Sequence, residues 1–226
     1  DVKASSTSFW ESHILSLTDR PILMVMDEAD LLFKNDSVSS DIFGLIRTWH
    51  ENSKVNPLWT RLRIAIAYST DALLPIQDVN QSPFNVGEVK RLKEFTLKEI
   101  SDLAEKHHYQ MSEKKVIRLR SAIGGHPYLT RLALYLLARR EYSFNALMTH
   151  VASDKGPFAD HLNNHYINLM RNDELKETLR QILKYGYTKN PLHVSKLTAV
   201  GLVKDEDNEL RPSYEIYRRF FKKVLL

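Results

Sequence analysis

Residues 21–30 read PILMVMDEAD, an apolar run from Ile22 to Met26 that leads directly into the carboxylates of Asp27 and Glu28. A continuous apolar run of this length is the pattern of a strand buried on both faces. Pro21 stands at its first position, where a missing N–H costs little. Downstream, Ile42, Leu45, Ile46 and Trp49 recur at helical spacing, which predicts a helix over 41–51. A loop around Asn56 and Pro57 leads to LRIAIAY at 62–68, a second apolar strand. Strand, helix and strand in this order predict a parallel crossover, and such sheets hold ligands at the carboxyl ends of their strands. Asp27, Glu28, Ser69 and Thr70 all fall at that edge. Upstream, 9–17 reads as a short amphipathic helix.

An apolar strand that ends in a carboxylate is the Walker B pattern. The strand fixes the carboxylate at the sheet edge, where it holds Mg²⁺ directly or through water. Asp27 occupies that place. A second carboxylate directly after it can polarise an attacking water, and Glu28 occupies that one. Ser69 or Thr70, closing the next strand, is placed to sense a γ-phosphate by hydrogen bonding. The plainer reading is a buried strand ending in a solvated acidic turn, with the two hydroxyls as strand caps. No G-x-x-x-x-G-K-[ST] occurs, so the loop whose backbone amides and lysine neutralise phosphates is missing from these residues. The 20 residues before Pro21 are too few for its strand, loop, helix and connector. That part of the domain is therefore expected outside this chain; the alternative is a domain that has lost nucleotide binding. Asp27–Asp30 also spells the DEAD-box helicase motif, and 69–70 loosely matches the third motif of those enzymes. Their arginine-rich late motif is missing, however, and the downstream half reads as helices.

Residues 74–94 are irregular, with Pro75, Pro83 and Gly87, and then the pattern turns helical. FTLKEI at 95–100 is a capping box: Thr96 caps, Glu99 reaches back, and Phe95 can staple to Ile100. Helices are predicted to about residue 108, from 112 with Val116, Leu119 and Ile123 on one face, over 128–140 and over 144–151. GGHP at 124–127 separates the second from the third. This is a small helical bundle. Gly156 and Pro157 mark a joint, followed by helices over 159–170, 173–185 and 193–200, a polar turn at 204–209 and a last helix over 214–226. Helix, short helix, hairpin and closing helix resemble a winged helix. The expected division is a nucleotide-binding core over 1–94, a helical lid over 95–155 and a winged-helix-like domain over 156–226.

Composition narrows the function classes. With 43% hydrophobic and 27% charged residues the chain can bury a real core. It has no cysteine, which excludes disulfides, cysteine zinc sites and thiol catalysis. No apolar stretch approaches membrane-spanning length and no secretory h-region opens the chain, so a cytoplasmic protein with no membrane partner is expected. A start at Asp1 fits a fragment or a processed product. The net charge of +4 permits nucleic acid without arguing for it. No G-x-S-x-G elbow supports serine hydrolysis. His107–His108 lacks companion ligands at metal spacing.

The strings NQSPFNVG at 80–87, FTL at 95–97 and GGHPYL at 124–129 resemble bacterial AAA-like domains of the STAND class, the signal-transduction ATPases with numerous domains. The resemblance runs from the Walker B strand to the closing helix. It implies a helix-rich chain: an α/β core with a parallel sheet of RecA/AAA-like type, then a helical lid and a winged helix, joined to effector or sensor domains. It implies a P-loop nucleotide switch with ATP and Mg²⁺ as cofactors, ATP and ADP as ligands, slow hydrolysis, and oligomerisation as an option. The G-x-P motif of the family falls on Gly125 and Pro127, with the proline against adenine, and Arg131 one turn into the next helix becomes a candidate phosphate sensor. Without the resemblance, Gly125 and Pro127 are a helix stop and a helix start. The missing Walker A departs from the family, and this chain alone is expected to be inactive.

Three functions compete: the regulatory module of a multidomain signalling or defence protein, a winged-helix DNA-binding module, and an interaction scaffold without nucleotide. For DNA, 193–200 carries only Lys196 as a firm cation, and the wing KDEDNE at 204–209 would face phosphates with like charge. For a scaffold, Tyr214, Tyr217 and Phe221 would have to be offered to a partner; packing inside is the other reading of these aromatics.

Overall fold

In the computed structural model, residues 2–68, 87–90 and 92–226 are described. The chain divides into two compact units, 1–91 and 92–226.

The first unit runs α1 (Val2–His13), a 3-10 turn, β1 (Ile22–Met26), a second 3-10 segment (Ala29–Lys34), α2 (Asp36–Asn52), a third (Pro57–Arg61) and β2 (Leu62–Ile66). β1 and β2 pair in parallel, Ile22 opposite Leu62 and Met26 opposite Ile66. α2 starts earlier than its apolar spacing suggests because Asn35 caps it, its Oδ1 accepting the Val38 N–H at 3.2 Å. The core is built on Leu15, Trp49 and Trp59, with Trp10, Ile22, Met24, Leu62 and Ile64 against it. The Trp49 and Trp59 rings stack at 5.3 Å. Each indole N–H finds a partner, Trp59 donating to Glu11 at 2.6 Å and Trp49 to Thr7 at 3.1 Å. Burial alternates along both strands: Ile22, Met24 and Met26 are half-buried, whereas Leu23 and Val25 are 64% and 62% exposed. β2 repeats the pattern, with Arg63 and Ala65 outward. The expectation of a strand buried on both faces is therefore corrected: among the described residues only one face of this two-stranded sheet is covered.

The second unit runs α3 (Leu97–Lys106), α4 (Glu113–Ile123), α5 (Pro127–Ala138), α6 (Phe144–Thr149), α7 (Ala159–Met170), α8 (Asp173–Tyr185), α9 (Pro191–Ala199), β3 (Val203–Glu206), β4 (Glu209–Pro212) and α10 (Glu215–Leu225). Local chemistry sets the starts. The capping box forms with both arms, the Glu99 N–H reaching Thr96 Oγ1 at 3.2 Å and the Thr96 N–H reaching Glu99 Oε2 at 2.8 Å. Asn172 and Asn190 cap α8 and α9 through their side-chain oxygens at 2.9 and 3.1 Å. β3 and β4 pair antiparallel about Asp207 and Asn208, whose φ values of 55° and 65° suit a two-residue hairpin turn. One hydrophobic cluster joins α3, α4 and α5 (Ile100, Leu119, Ile123, Leu129) to α7, α8 and α10 (Leu162, Leu179, Ile216, Phe220). Tyr217 and Phe221 belong to that cluster and are 1% and 0% exposed. The reading that offered them to a partner is thereby corrected: they pack inside.

Candidate functional site

The carboxyl end of β1 departs from a regular ladder. The Ala67 N–H donates to the Met26 carbonyl at 2.8 Å, as parallel pairing requires. The Ala67 carbonyl then accepts the N–H of Ala29 at 3.0 Å, where an unbroken ladder would use that of Glu28. Asp27 and Glu28 thus share one register position and form a bulge at the strand end. The displaced Glu28 N–H donates to Asp27 Oδ1 at 2.9 Å. Glu28 takes a left-handed backbone, φ 51° and ψ 38°, at a cost of about 1 kcal/mol for a residue with a Cβ. Alternation along β1 therefore stops at Met26, and the two consecutive carboxylates are both exposed at the strand end.

Two adjacent carboxylates are a donor set for Mg²⁺, which keeps several waters and takes one or two carboxylates plus substrate phosphates. They are not a complete protein cage, and no group of three or more His, Asp or Glu among the described residues could hold a metal. Ser69 and Thr70 lie outside the described residues, as does most of the NQSPFNVG string.

The remaining expected site residues belong to the second unit. α4 ends at Gly124, whose φ is 68° and whose N–H returns to the Arg120 carbonyl at 2.7 Å. Gly125 has φ 78°, and a Cβ there would meet the Phe95 carbonyl oxygen at 2.4 Å, so only glycine fits. The Phe95 N–H in turn donates to the Gly125 carbonyl at 2.8 Å. Pro127, half-buried, opens α5 at its first position. Arg131 is exposed on the next turn and makes no ion pair among the described residues.

A cluster that sequence reasoning missed lies beside this loop. His126 caps α5, and its ring meets His161 of α7 edge-on at 5.4 Å. His161 stacks on Tyr128 at 5.6 Å, meets His165 at 4.6 Å, and places Nε2 2.8 Å from the hydroxyl of Tyr217 on α10. Burial pushes His161 down to about 3, with repulsion from His165 and His126 adding to it. His165 falls to about 4, by burial first and His126 second. His126 is lowered by burial. Burial likewise raises the Tyr217 hydroxyl. The available signal was the i,i+4 spacing of His161 and His165. A groove of about 840 Å³ in the same unit runs between α4, the end of α8, the hairpin and α10, and is lined by Glu94, Arg120, Arg211, Tyr214 and Arg218 among others; it includes neither Pro127 nor Arg131.

The family profile described as AAA-like domain matches residues 1–223. The chain belongs to the AAA-like domain family. A solved structure, the Walker-type ATPase of Pyrococcus abyssi, matches with a TM-score of 0.60 at 16% identity, over 89% of this chain and 63% of that one. At that identity the likeness speaks for the fold, and this AAA-like chain spans less than two thirds of that relative. No curated protein matches the chain. No helix among the described residues is long and apolar enough to cross a membrane.

Proposed function

We propose that this AAA-like chain is part of a nucleotide switch of the STAND type, in which Asp27 and Glu28 serve bound MgATP. The bulge at the end of β1 carries the reading, because it places two consecutive carboxylates, both exposed, at the sheet edge where α/β proteins bind ligands. Bound Mg²⁺ would neutralise phosphate charge. Asp27 would hold the ion, and Glu28, freed from the ladder by its left-handed turn, would orient and polarise the attacking water. Ser69 or Thr70 would sense the γ-phosphate. The phosphate loop would come from outside these 226 residues. Residues 95–155 would act as the lid, with Gly125 and Pro127 on the adenine side and Arg131 toward phosphate. Residues 156–226 would form the winged-helix-like domain that passes the nucleotide state to effector or sensor domains of a signalling or defence protein.

A cytoplasmic setting and assembly into oligomers belong to the same reading. DNA binding is the weaker alternative: Asp205, Glu206, Asp207 and Glu209 crowd the hairpin, and its cations Lys204 and Arg211 pair with Glu206 and Glu209 at 3.1 and 2.5 Å.

The test uses the full-length protein. Glu28→Gln is expected to retain ATP while turnover falls by roughly 10²–10⁴, and Asp27→Asn to weaken the Mg²⁺-dependent part of binding. Unchanged turnover and unchanged ATP retention in both variants would overturn the assignment.

A further inference from the structure

We infer that Tyr214 is a positioning residue, holding the loop that carries Pro127 to the first turn of α10. The role given to Pro127 rests on the reading above; the contact does not. Tyr214 lies directly on Gly124: a Cβ built there would sit 1.9 Å from Tyr214 Cδ1 and 2.1 Å from Cε1. The ring also meets His126 edge-on at 5.7 Å. Both glycines of the loop are therefore used for close approach, Gly124 by this ring and Gly125 by the backbone of Phe95.

The contacts close a circuit. The Glu94 carboxylate lies beside the Tyr214 hydroxyl and 4.0 Å from the Arg120 guanidinium. Arg120 Nε donates to the Phe95 carbonyl at 3.2 Å, and Phe95 is bonded through its N–H to Gly125. The segment entering the unit, the loop before α5 and the start of α10 thus meet at one ring. The backbone of Tyr214 is fixed on both sides. The Ser213 N–H donates to the Leu202 carbonyl at 2.9 Å, and the Tyr214 carbonyl accepts the N–H groups of Tyr217 and Arg218 at 3.1 Å each. A displacement of the hairpin or of α10 is carried to Gly124 by a rigid aromatic with two side-chain torsions. Any ligand that holds Pro127 acts back on α10 through the same contact, since coupling between two sites is reciprocal.

The experiment uses the full-length protein with Tyr214→Ala, Tyr214→Leu and Tyr214→Phe. Amide hydrogen exchange is read without nucleotide, over 124–130 and over α8 as an internal reference, and the ATP dissociation constant is read by titration. Tyr214→Ala is expected to accelerate exchange over 124–130 by roughly tenfold more than over α8, and to weaken ATP by roughly tenfold. Tyr214→Phe, which keeps the ring, is expected to restore both. Should the alanine variant fail to fold, Tyr214→Leu gives the same reading with a smaller loss of packing. If exchange over 124–130 rises only in step with α8, Tyr214 is ordinary packing and the inference falls. If the loop loosens while ATP affinity holds, the loop is held but Pro127 is not positioned for nucleotide, which also overturns the inference. If the parent protein binds no ATP, the proposed function fails by itself, and the exchange data still decide whether Tyr214 holds the loop.

Discussion

Acidification between pH 8 and pH 5 should destabilise this protein through His161 and His165. Both sit beside Tyr217 and the cap of α5, with folded-state pKa values of about 3 and about 4. In the unfolded chain each returns to about 6.5. The folded pKa is the lower one, so between the two values the unfolded state binds more protons and stability rises with pH. The loss is negligible above about pH 7.5, reaches about 0.4 kcal/mol per histidine at pH 6.5, and grows as pH falls from there toward the folded values. At pH 5 each histidine is mostly protonated when unfolded and neutral when folded, which costs about 2 kcal/mol apiece and about 4 kcal/mol for the pair. His126 acts in the same direction. That is a large share of a typical stability of about 5–15 kcal/mol.

The carboxylates whose pKa values the fold lowers, Glu99, Asp154, Asp173, Glu209 and Glu215 among them, also favour folding at higher pH, but they lose that contribution only below their ordinary range. The window from pH 8 to pH 5 therefore isolates the histidines. The assay is urea unfolding of the intact chain, followed by helical circular dichroism at both pH values. Wild type should lose about 4 kcal/mol or slightly more, and the His161→Gln, His165→Gln double variant should lose little beyond the share of His126. An undiminished loss in the double variant would refute the reasoning.

Three further outcomes follow from single contacts. Glu28→Gly relieves the left-handed strain and should be neutral or stabilising by up to about 1 kcal/mol in thermal unfolding, whereas Glu28→Ala keeps the strain; under the proposed function both abolish turnover in the full-length protein. Thr96→Ala removes the acceptor for the Glu99 N–H and should cost about 1 kcal/mol in chemical unfolding. Phe221→Ala empties a fully buried site in the shared cluster and should cost about 3–5 kcal/mol; a loss below about 1 kcal/mol would show that the site collapses or is not packed as described.

What could be read in the sequence was mostly local. The capping box at 96–99 forms because its partners are three residues apart and need nothing else. The helices over 159–170 and 173–185 fall where periodicity puts them, since their apolar positions face one core. The start of α2 is not legible in the apolar pattern, because the deciding group is a side-chain oxygen on Asn35 outside that pattern. The place of Asp27 and Glu28 at the strand end was legible, but the bulge was not: it depends on which N–H the Ala67 carbonyl accepts, 38 residues beyond Ala29. The histidine cluster is hidden for the same reason, because His126 at the cap of α5, His161 and His165 of α7 and Tyr217 of α10 are brought together only by the packed core.

The tryptophan cluster around Leu15 gives the molecule a built-in division of optical signals. The chain has three tryptophans, Trp10, Trp49 and Trp59, and all of them lie in the first unit. Selectively excited emission therefore reports the part that holds Asp27 and Glu28, while the helical dichroism is dominated by residues 97–225. The two units can then be melted, quenched and titrated in one sample without any label, and a shift in emission on adding MgATP would locate the response on the strand side of the molecule.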